Sequence, residues 1–382
     1  MSAVFESDRG SEASPGPASR TVAIVHWNDG SDPRVRKIAG SLHVAGYDVH
    51  FVGAKLGHHP RAPQVIPGVR MHVLKRPSSR GHKARAWLAF LRHVSVTMRT
   101  IRPAVIHAVN EHTAAFVIAT TRPSKRRVVC DVFDSLDLRF SSSSLVPRLV
   151  ARWVCRLAYA GSERVLVTDE ARKAVLRRGA GAAIVVPNYP VDPGPRLAAA
   201  LPPVTGPLRL YVGGSLSRPR GLESLAQVAK SRSDICIVAA GWVYDSVAEK
   251  FVASPGVEFH GALEPMASLE LAASCHAIVA LYEPSNQNNR MASPNKVYDA
   301  LCVGRPLLVN REIGIASWVV EEALGIAVPY GDAGALGRAV DVLRSRRPDA
   351  AATSRRLRRV FAEGYSWAVS ETALLQGYNA IV

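Results

Sequence analysis

Residues 184–212, IVVPNYPVDPGPRLAAALPPVTGPLRLYV, decide how the chain is built. Strand-like, β-branched runs open and close this stretch, and between them prolines stand at 187, 190, 193, 195, 202, 203 and 207. A prolyl ring has no amide to give to a helix interior or a central strand, so the segment interrupts both, and residues 189–206 read as a linker. Upstream, short apolar runs at 22–26, 49–52, 105–108, 128–130, 165–167 and 184–186 alternate with amphipathic stretches. Downstream, runs at 208–212, 235–239, 257–259, 278–281 and 307–309 do the same. This alternation predicts βαβ units and parallel sheets. The expectation is an α/β protein of two doubly wound domains, residues 21–188 and 207–364, with a ligand cleft outside the carboxyl ends of the strands. Residues 1–20 are rich in Ser, Gly, Pro and Glu without periodicity and read as a disordered tail.

Composition agrees with two folded domains. The chain has 382 residues, more than the ~100–200 of a typical single domain. It is 48% apolar and 21% charged, a globular balance that excludes a disordered or collagen-like chain. Cys130, Cys155, Cys236, Cys275 and Cys302 form no C-x-x-C pair, so they read as buried thiols of a reducing compartment, with no structural metal. No apolar run approaches the ~18 residues of a spanning helix, and the first residues lack a signal peptide's apolar core, so a cytoplasmic protein is expected. The net charge of +17 is unevenly spread: residues 20–188 hold 28 Lys and Arg against 10 Asp and Glu, residues 205–364 hold 18 against 16. That excess suits an anionic partner such as a membrane surface, a phosphorylated ligand or nucleic acid, or serves solubility alone. Nucleic acid is disfavoured, because no base-edge readers or interleaved stacking aromatics are recognisable and only 7% of residues are aromatic.

Ser293-Pro294-Asn295-Lys296-Val297-Tyr298-Asp299 carries the most chemistry. Ser293 suits an N-cap and Pro294 the first helical position, where a missing amide costs nothing. The free amides of that turn form an anion site, Lys296 adds a cation, and Asp299 one turn on can accept both hydroxyls of a ribose. Phosphate at a helix tip with a diol one turn away describes a nucleotide; an ordinary capped helix with Asp299 in solvent is the alternative. Gly213, Gly214 and Ser215 end a strand where backbone amides can approach a phosphate, and Arg220-Gly221 follows before a helix. Gly241 ends the next strand, and Trp242 after it either flanks a flat base or packs in the core.

In order and spacing, Tyr211-Val212-Gly213-Gly214, Arg220-Gly221, Val257-Glu258-Phe259-His260-Gly261, the Ser293–Lys296 run with Asp299, and Gly304-Arg305-Pro306 resemble the donor half of a GT-B glycosyltransferase of family 4. Asp32-Pro33-Arg34-Val35 and Leu42 with Gly46-Tyr47-Asp48-Val49 resemble that family's D-x-R-V opening. Val185-Val186-Pro187-Asn188 resembles its domain end, and Tyr365-Ser366-Trp367 its closing helix, here 365–382, which crosses back to the first domain. The resemblance spans roughly residues 20–380. It implies two Rossmann-like domains and transfer of a sugar from a nucleotide-diphosphate donor to an acceptor hydroxyl, metal-independent, without a cofactor and with retention of configuration. The acceptor could be a small molecule, a saccharide or a lipid-linked compound. Fixed amides with Arg220 and Lys296 could stabilise the leaving diphosphate in place of a divalent ion. A sugar-nucleotide epimerase or hydrolase of the same shape would share the donor site, and its product would differ.

The match departs from the family at two places. Where the family commonly carries two glutamates eight residues apart, Asp299 fills the second place, on the ribose, and Met291 the first, on the transferred sugar. Glu283, Asn286, Asn288 and Asn289 are nearby polar candidates for sugar hydroxyls. In Cys130-Asp131-Val132-Phe133-Asp134, Phe133 stands where the family has a reaction-centre histidine, leaving Asp134 as the strand-end carboxylate. On the acceptor side, Asp32 or Ser31 either caps a helix or faces the cleft, and Arg34 is expected to point toward donor phosphates or acceptor. His107, with Asn110 and Glu111, ends another strand at the same face and either orients an acceptor hydroxyl or is structural. Finally, residues 83–102 mix apolar and basic side chains, while Arg148, Arg152 and Arg156 recur every four residues. Both stretches suit an interfacial helix on anionic lipid, or else a core-packing helix with a solvated basic face.

Overall fold

A computed structural model describes residues 20–55, 65–75, 83–120, 126–176, 183–194, 197, 201–285, 287–291 and 293–381. The tail reading of residues 1–20 falls almost wholly outside these residues, as does the candidate Asn286. The first sheet has seven strands, β1 (Thr21–Val25), β2 (Asp48–Ala54), β3 (Arg70–Leu74), β4 (Val105–Val109), β5 (Arg127–Val132), β6 (Arg164–Val167) and β7 (Ala183–Val185), in the order β3-β2-β1-β4-β5-β6-β7. The second has six, β8 (Leu208–Leu216), β9 (Ile235–Val243), β10 (Val257–Phe259), β11 (Ala277–Ala280), β12 (Leu307–Asn310) and β13 (Gly325–Val328), in the order β10-β9-β8-β11-β12-β13. Every pairing is parallel. In each sheet the order reverses beside the first strand, and open α/β sheets bind ligands at that switch point.

Helices cover both faces of each sheet, as buried parallel strands require. On one face of the first sheet lies α1 (Pro33–Val44), whose Val35, Ile38 and Leu42 recur at helical spacing and are buried. The closing helix Trp367–Asn379 joins this layer through Trp367, Leu374 and Tyr378. Trp367 Nε1 donates to Ser41 Oγ at 2.9 Å, which fixes the end of the chain to the first domain. The opposite face carries α2 (Lys83–Ile101), α3 (Glu111–Thr120) and α5 (Leu145–Ala160), the last preceded by the single turn α4 (Leu136–Arg139). The linker side packs Tyr189 against Tyr298 and Tyr365, with ring centroids 4.6 and 5.4 Å apart, so hinge, second domain and closing helix share one aromatic cluster.

Three details correct the sequence reading. β8 and β9 do not end at their glycines: they pair through Gly214↔Gly241 as far as Leu216↔Val243. A Cβ on Gly241 would lie 1.8 Å from the Gly214 carbonyl oxygen, so the glycine permits close approach of two backbones within the sheet. The Asn295–Val303 helix begins one residue later than expected, with Pro294 at the cap position and no side-chain cap. Ser293 Oγ instead hydrogen-bonds Tyr298 Oη at 2.6 Å. The outward side of α5 is not a basic face: Leu145, Val146, Leu149, Val150 and Trp153 are exposed there beside Arg156.

Candidate active site

The two switch points face each other across a cleft of about 650 Å³. Its first wall is the β1–α1 loop. Asn28 Oδ1 accepts from the amides of Gly30 and Ser31 at 2.7 and 3.0 Å, and Asp32 Oδ1 caps α1 by accepting from Arg34 N and Val35 N at 2.9 and 3.1 Å. The loop so held presents Asp29, Ser31 and Asp32 to the cleft, α1 adds Arg36 and Lys37, and Asn188, Pro190 and Val191 form its floor at the hinge. The opposite wall comes from the second domain: Gly213, Gly214, Ser215, Arg220, Gly241, Trp242, Tyr282, Asn295, Lys296 and Asp299, with the 263–269 segment closing one side.

Two cations dominate that wall. Arg220 ends a short turn, Arg218–Arg220, after which Gly221 adopts φ +67° and starts the helix Leu222–Ser231. Its guanidinium lies 3.9 Å from the Tyr282 ring centroid, which fixes its plane against the cleft. Lys296, in the first turn of the Asn295–Val303 helix, donates to Asp299 Oδ2 at 2.7 Å. Burial alone would lower its pKa; the Asp299 carboxylate outweighs that and raises it, so this ammonium stays charged. Trp242 remains 38% exposed, an aromatic face open to the cleft. Among the predicted donor residues, Gly213, Gly214, Ser215, Arg220, Gly241, Trp242, Asn295, Lys296 and Asp299 are thus brought together, whereas Ser293 and Pro294 stand behind the helix tip, outside the lining.

The first-domain candidates fare differently. Arg34 does not face the cleft: it is 1% exposed, its Nε and Nη2 bind Asp131 at 3.0 and 2.7 Å, and its Nη1 donates to the Val186 carbonyl at 2.7 Å. Burial pushes the Asp131 carboxyl up, but the Arg34 charge and the hydrogen bonds from His107 and Arg34 outweigh it and hold the pKa at about 2. His107 is fully buried as well, bridging Asp131 Oδ2 at 3.3 Å and Tyr378 Oη at 2.8 Å. A residue inside a central parallel strand points into a helix layer, not off the strand end, so His107 anchors the closing helix. Glu111 is buried against α5, accepting from Tyr159 Oη at 2.8 Å and Leu136 N at 3.3 Å, and burial raises its pKa. Asn110, at φ 65°, ties two strand ends together by accepting from Phe133 N at 3.0 Å. Asp134 is exposed and lies outside the cleft lining; it accepts from Asn288 Nδ2 at 3.3 Å across the domain boundary. Asn289 Nδ2 is turned to the Glu283 carbonyl at 2.8 Å.

The sequence reading missed the cations that do face the cleft from α1, Arg36 and Lys37. Lys37 Nζ donates to the Tyr189 carbonyl and lies 4.7 Å from the Trp367 ring centroid. Burial, and after it the charge of Arg34, brings its pKa down to about 7, against the opposing pull of Asp299 and Asp32. The stripe of Val35, Ile38, Ala39 and Leu42 held the signal, because it sets the buried face of α1 and leaves residues 36 and 37 on the other side.

Two facing doubly wound domains, a hinge, a closing helix that crosses back and a cation-lined cleft at both switch points define a GT-B fold. Residues 29–189 match the family described as a glycosyl transferase 4-like domain. That match covers most of the first domain, and the chain as a whole has the GT-B fold. No curated protein matches the sequence. Among solved structures, sucrose-phosphate synthase from Thermosynechococcus elongatus superposes with a TM-score of 0.73 at 17% identity, covering 94% of this chain and 98% of that one. Anabaena HepE, solved in complex with UDP and glucose, gives 0.69 at 12% identity, covering 94% and 99%. WaaG, a glycosyltransferase involved in lipopolysaccharide biosynthesis, gives 0.64 at 15% identity, covering 92% and 98%.

Proposed function

We propose that the cleft binds a nucleotide-diphosphate sugar and passes the sugar to an acceptor hydroxyl, without a metal and with retention of configuration. The observation that carries this reading is the convergence of Arg220, Lys296 and the amino end of the Asn295–Val303 helix on one wall of a cleft of about 650 Å³. Amide dipoles and two fixed cations match the charge of a diphosphate, and the cleft has the size of a small-molecule site. In this reading the diphosphate draws Lys296 from Asp299, the freed carboxylate accepts from the ribose diol, and Trp242 covers the base.

The acceptor oxygen then bonds to the anomeric carbon from the first-domain side while the bond to the phosphate oxygen breaks. The acceptor proton passes to the departing phosphate, and the nucleoside diphosphate leaves with its charge held by Arg220 and Lys296. Two fixed cations on one cleft wall can neutralise a departing diphosphate in place of a divalent ion, which supports the metal-independent form. The HepE complex with UDP and glucose supports a nucleotide-sugar donor in a fold of this kind. Five free cysteines suit a cytoplasmic setting.

The test is a calorimetric comparison of nucleoside diphosphates, starting with UDP, GDP, ADP and dTDP, against Asp299→Ala. Charge-assisted hydrogen bonds contribute ~1.5–3 kcal/mol each, so loss of the diol contact weakens the preferred ribonucleotide about tenfold or more. A 2′,3′-dideoxy analogue should be insensitive to the substitution. Equal loss for both ligands would remove Asp299 from the ribose. Release of nucleoside diphosphate only when an acceptor is supplied separates transfer from epimerisation or hydrolysis.

A further inference from the structure

The helix α5 is apolar on both sides. Its inward side, Ala151, Cys155, Ala158 and Tyr159, is buried in the first domain. Its outward side leaves Val146 69%, Trp153 66% and Leu145 59% exposed, with Leu149 and Val150 beside them. Arg148, Arg152 and Arg156 follow one another at four-residue spacing along a flank of that stripe; Arg148 and Arg152 are half-buried, Arg152 pairs with Asp137 at 3.4 Å, and Arg156 is exposed. Across α3, on the same side of the sheet, α2 exposes Leu88 and Val96 among Arg85, Arg92 and Arg99. The large aliphatic and indole side chains exposed along α5 stand outside the domain core, and a run of exposed apolar surface of this kind marks a contact site.

We propose that this face of α5, flanked by α2, docks onto an anionic phospholipid surface. Charge decides the occupant. The apolar stripe is edged by arginines in a domain whose cations outnumber its acids by 28 to 10, so a second copy would oppose arginine to arginine, whereas an anionic bilayer supplies the complementary charge. Trp153 in the middle of the stripe has the apolar body and polar N–H that suit the headgroup boundary. The surface also lies near the boundary between the domains. α4 leads directly into α5 and packs against the helix Gln287–Arg290 of the second domain, close to the Asp134–Asn288 bridge. If the transfer reading above holds, docking brings the enzyme to acceptors carried in that lipid layer; the docking itself does not depend on that reading.

The experiment is flotation of the full chain with vesicles of phosphatidylcholine alone and of phosphatidylcholine with phosphatidylglycerol, at low and physiological salt. Binding is expected to the anionic vesicles only and to weaken with salt. Trp153→Asp and Leu149→Asp should each lower partitioning about tenfold or more, and Arg156→Glu about fivefold or more. All three side chains are exposed, so the unfolding midpoint and nucleoside diphosphate affinity should stay unchanged. No binding to anionic vesicles at physiological salt overturns the proposal, as does Trp153→Asp binding like the wild type. So does a dimer in sedimentation that Trp153→Asp dissolves while vesicles are ignored, since the stripe then joins two copies. Vesicle binding without any nucleotide binding would leave the surface standing and refute the transfer reading.

Discussion

Replacing Arg34 by Met should unfold the first domain more easily and leave donor binding alone. Arg34 gives two hydrogen bonds to a fully buried carboxylate and one to the Val186 carbonyl, and it reaches no ligand space. Methionine fills much of the volume but leaves Asp131 buried without its cation, a loss of about 3–5 kcal/mol. For a domain of this size each kcal/mol moves the midpoint by about 2–4 °C, so thermal unfolding should shift down by roughly 6–20 °C. The pH dependence has a definite sign. Asp131 has its pKa depressed from 3.8 to about 2, so its pairing stabilises the fold above pH 3.8 and that stability is lost as pH falls through 2. The gap between wild type and Arg34→Met should therefore be full at neutral pH and shrink between pH 4 and 2. Adding Asp131→Asn should recover part of the loss by removing the uncompensated charge. The assay is calorimetric unfolding across pH, with nucleoside diphosphate titration at a temperature where both proteins are folded. An unchanged midpoint with weakened nucleotide binding would show that Arg34 faces the cleft and refute the reasoning.

Two further outcomes follow from the cleft walls. Gly241→Ala puts a Cβ 1.8 Å from the Gly214 carbonyl at φ +146°, so β8 and β9 must part; a stability loss of roughly 1–3 kcal/mol should accompany a tenfold or greater loss of nucleotide affinity, measured by calorimetry. Lys37→Met should stabilise the protein near pH 7 by on the order of 1–2 kcal/mol. Because folding lowers the Lys37 pKa from 10.5 to about 7, the unfolded chain holds the extra proton between those values and the stabilising effect should fade as pH rises toward 10.5; an effect flat with pH would show that Lys37 is not the group responsible.

Much of the architecture was legible because it rests on local pattern. Buried parallel strands are mostly continuous apolar runs, and eleven of the thirteen strands among the described residues were marked by short apolar or β-branched runs, β10 (Val-Glu-Phe) least clearly. β3, of partly exposed residues, and β13, which opens on Gly325, are edge strands with weaker patterns, and both escaped. The second-domain wall of the cleft was legible for a related reason: residues 213–215 and 295–299 are compact runs whose spacing along a strand or helix already places them together. The acceptor side was not, because Arg34, His107, Asp131 and Tyr378 come from four separate elements.

Order along the chain thus determined two α/β domains, the proline-rich joint between them and a cation in each of two second-domain cleft segments, since these follow from backbone geometry and nearest neighbours. Packing decided which charged side chains are drawn away from the cleft. α1 turns Arg34 inward to meet Asp131 and leaves Arg36 and Lys37 facing the opening, and α5 turns Trp153 outward while Tyr159 closes over Glu111. The physical reason is that local pattern marks the apolar stripe of α1 but not which charged side chain at its margin is drawn inward, and on α5 both sides are apolar; the choice depends on the sheet and helices each meets, partners separated from it by up to hundreds of residues.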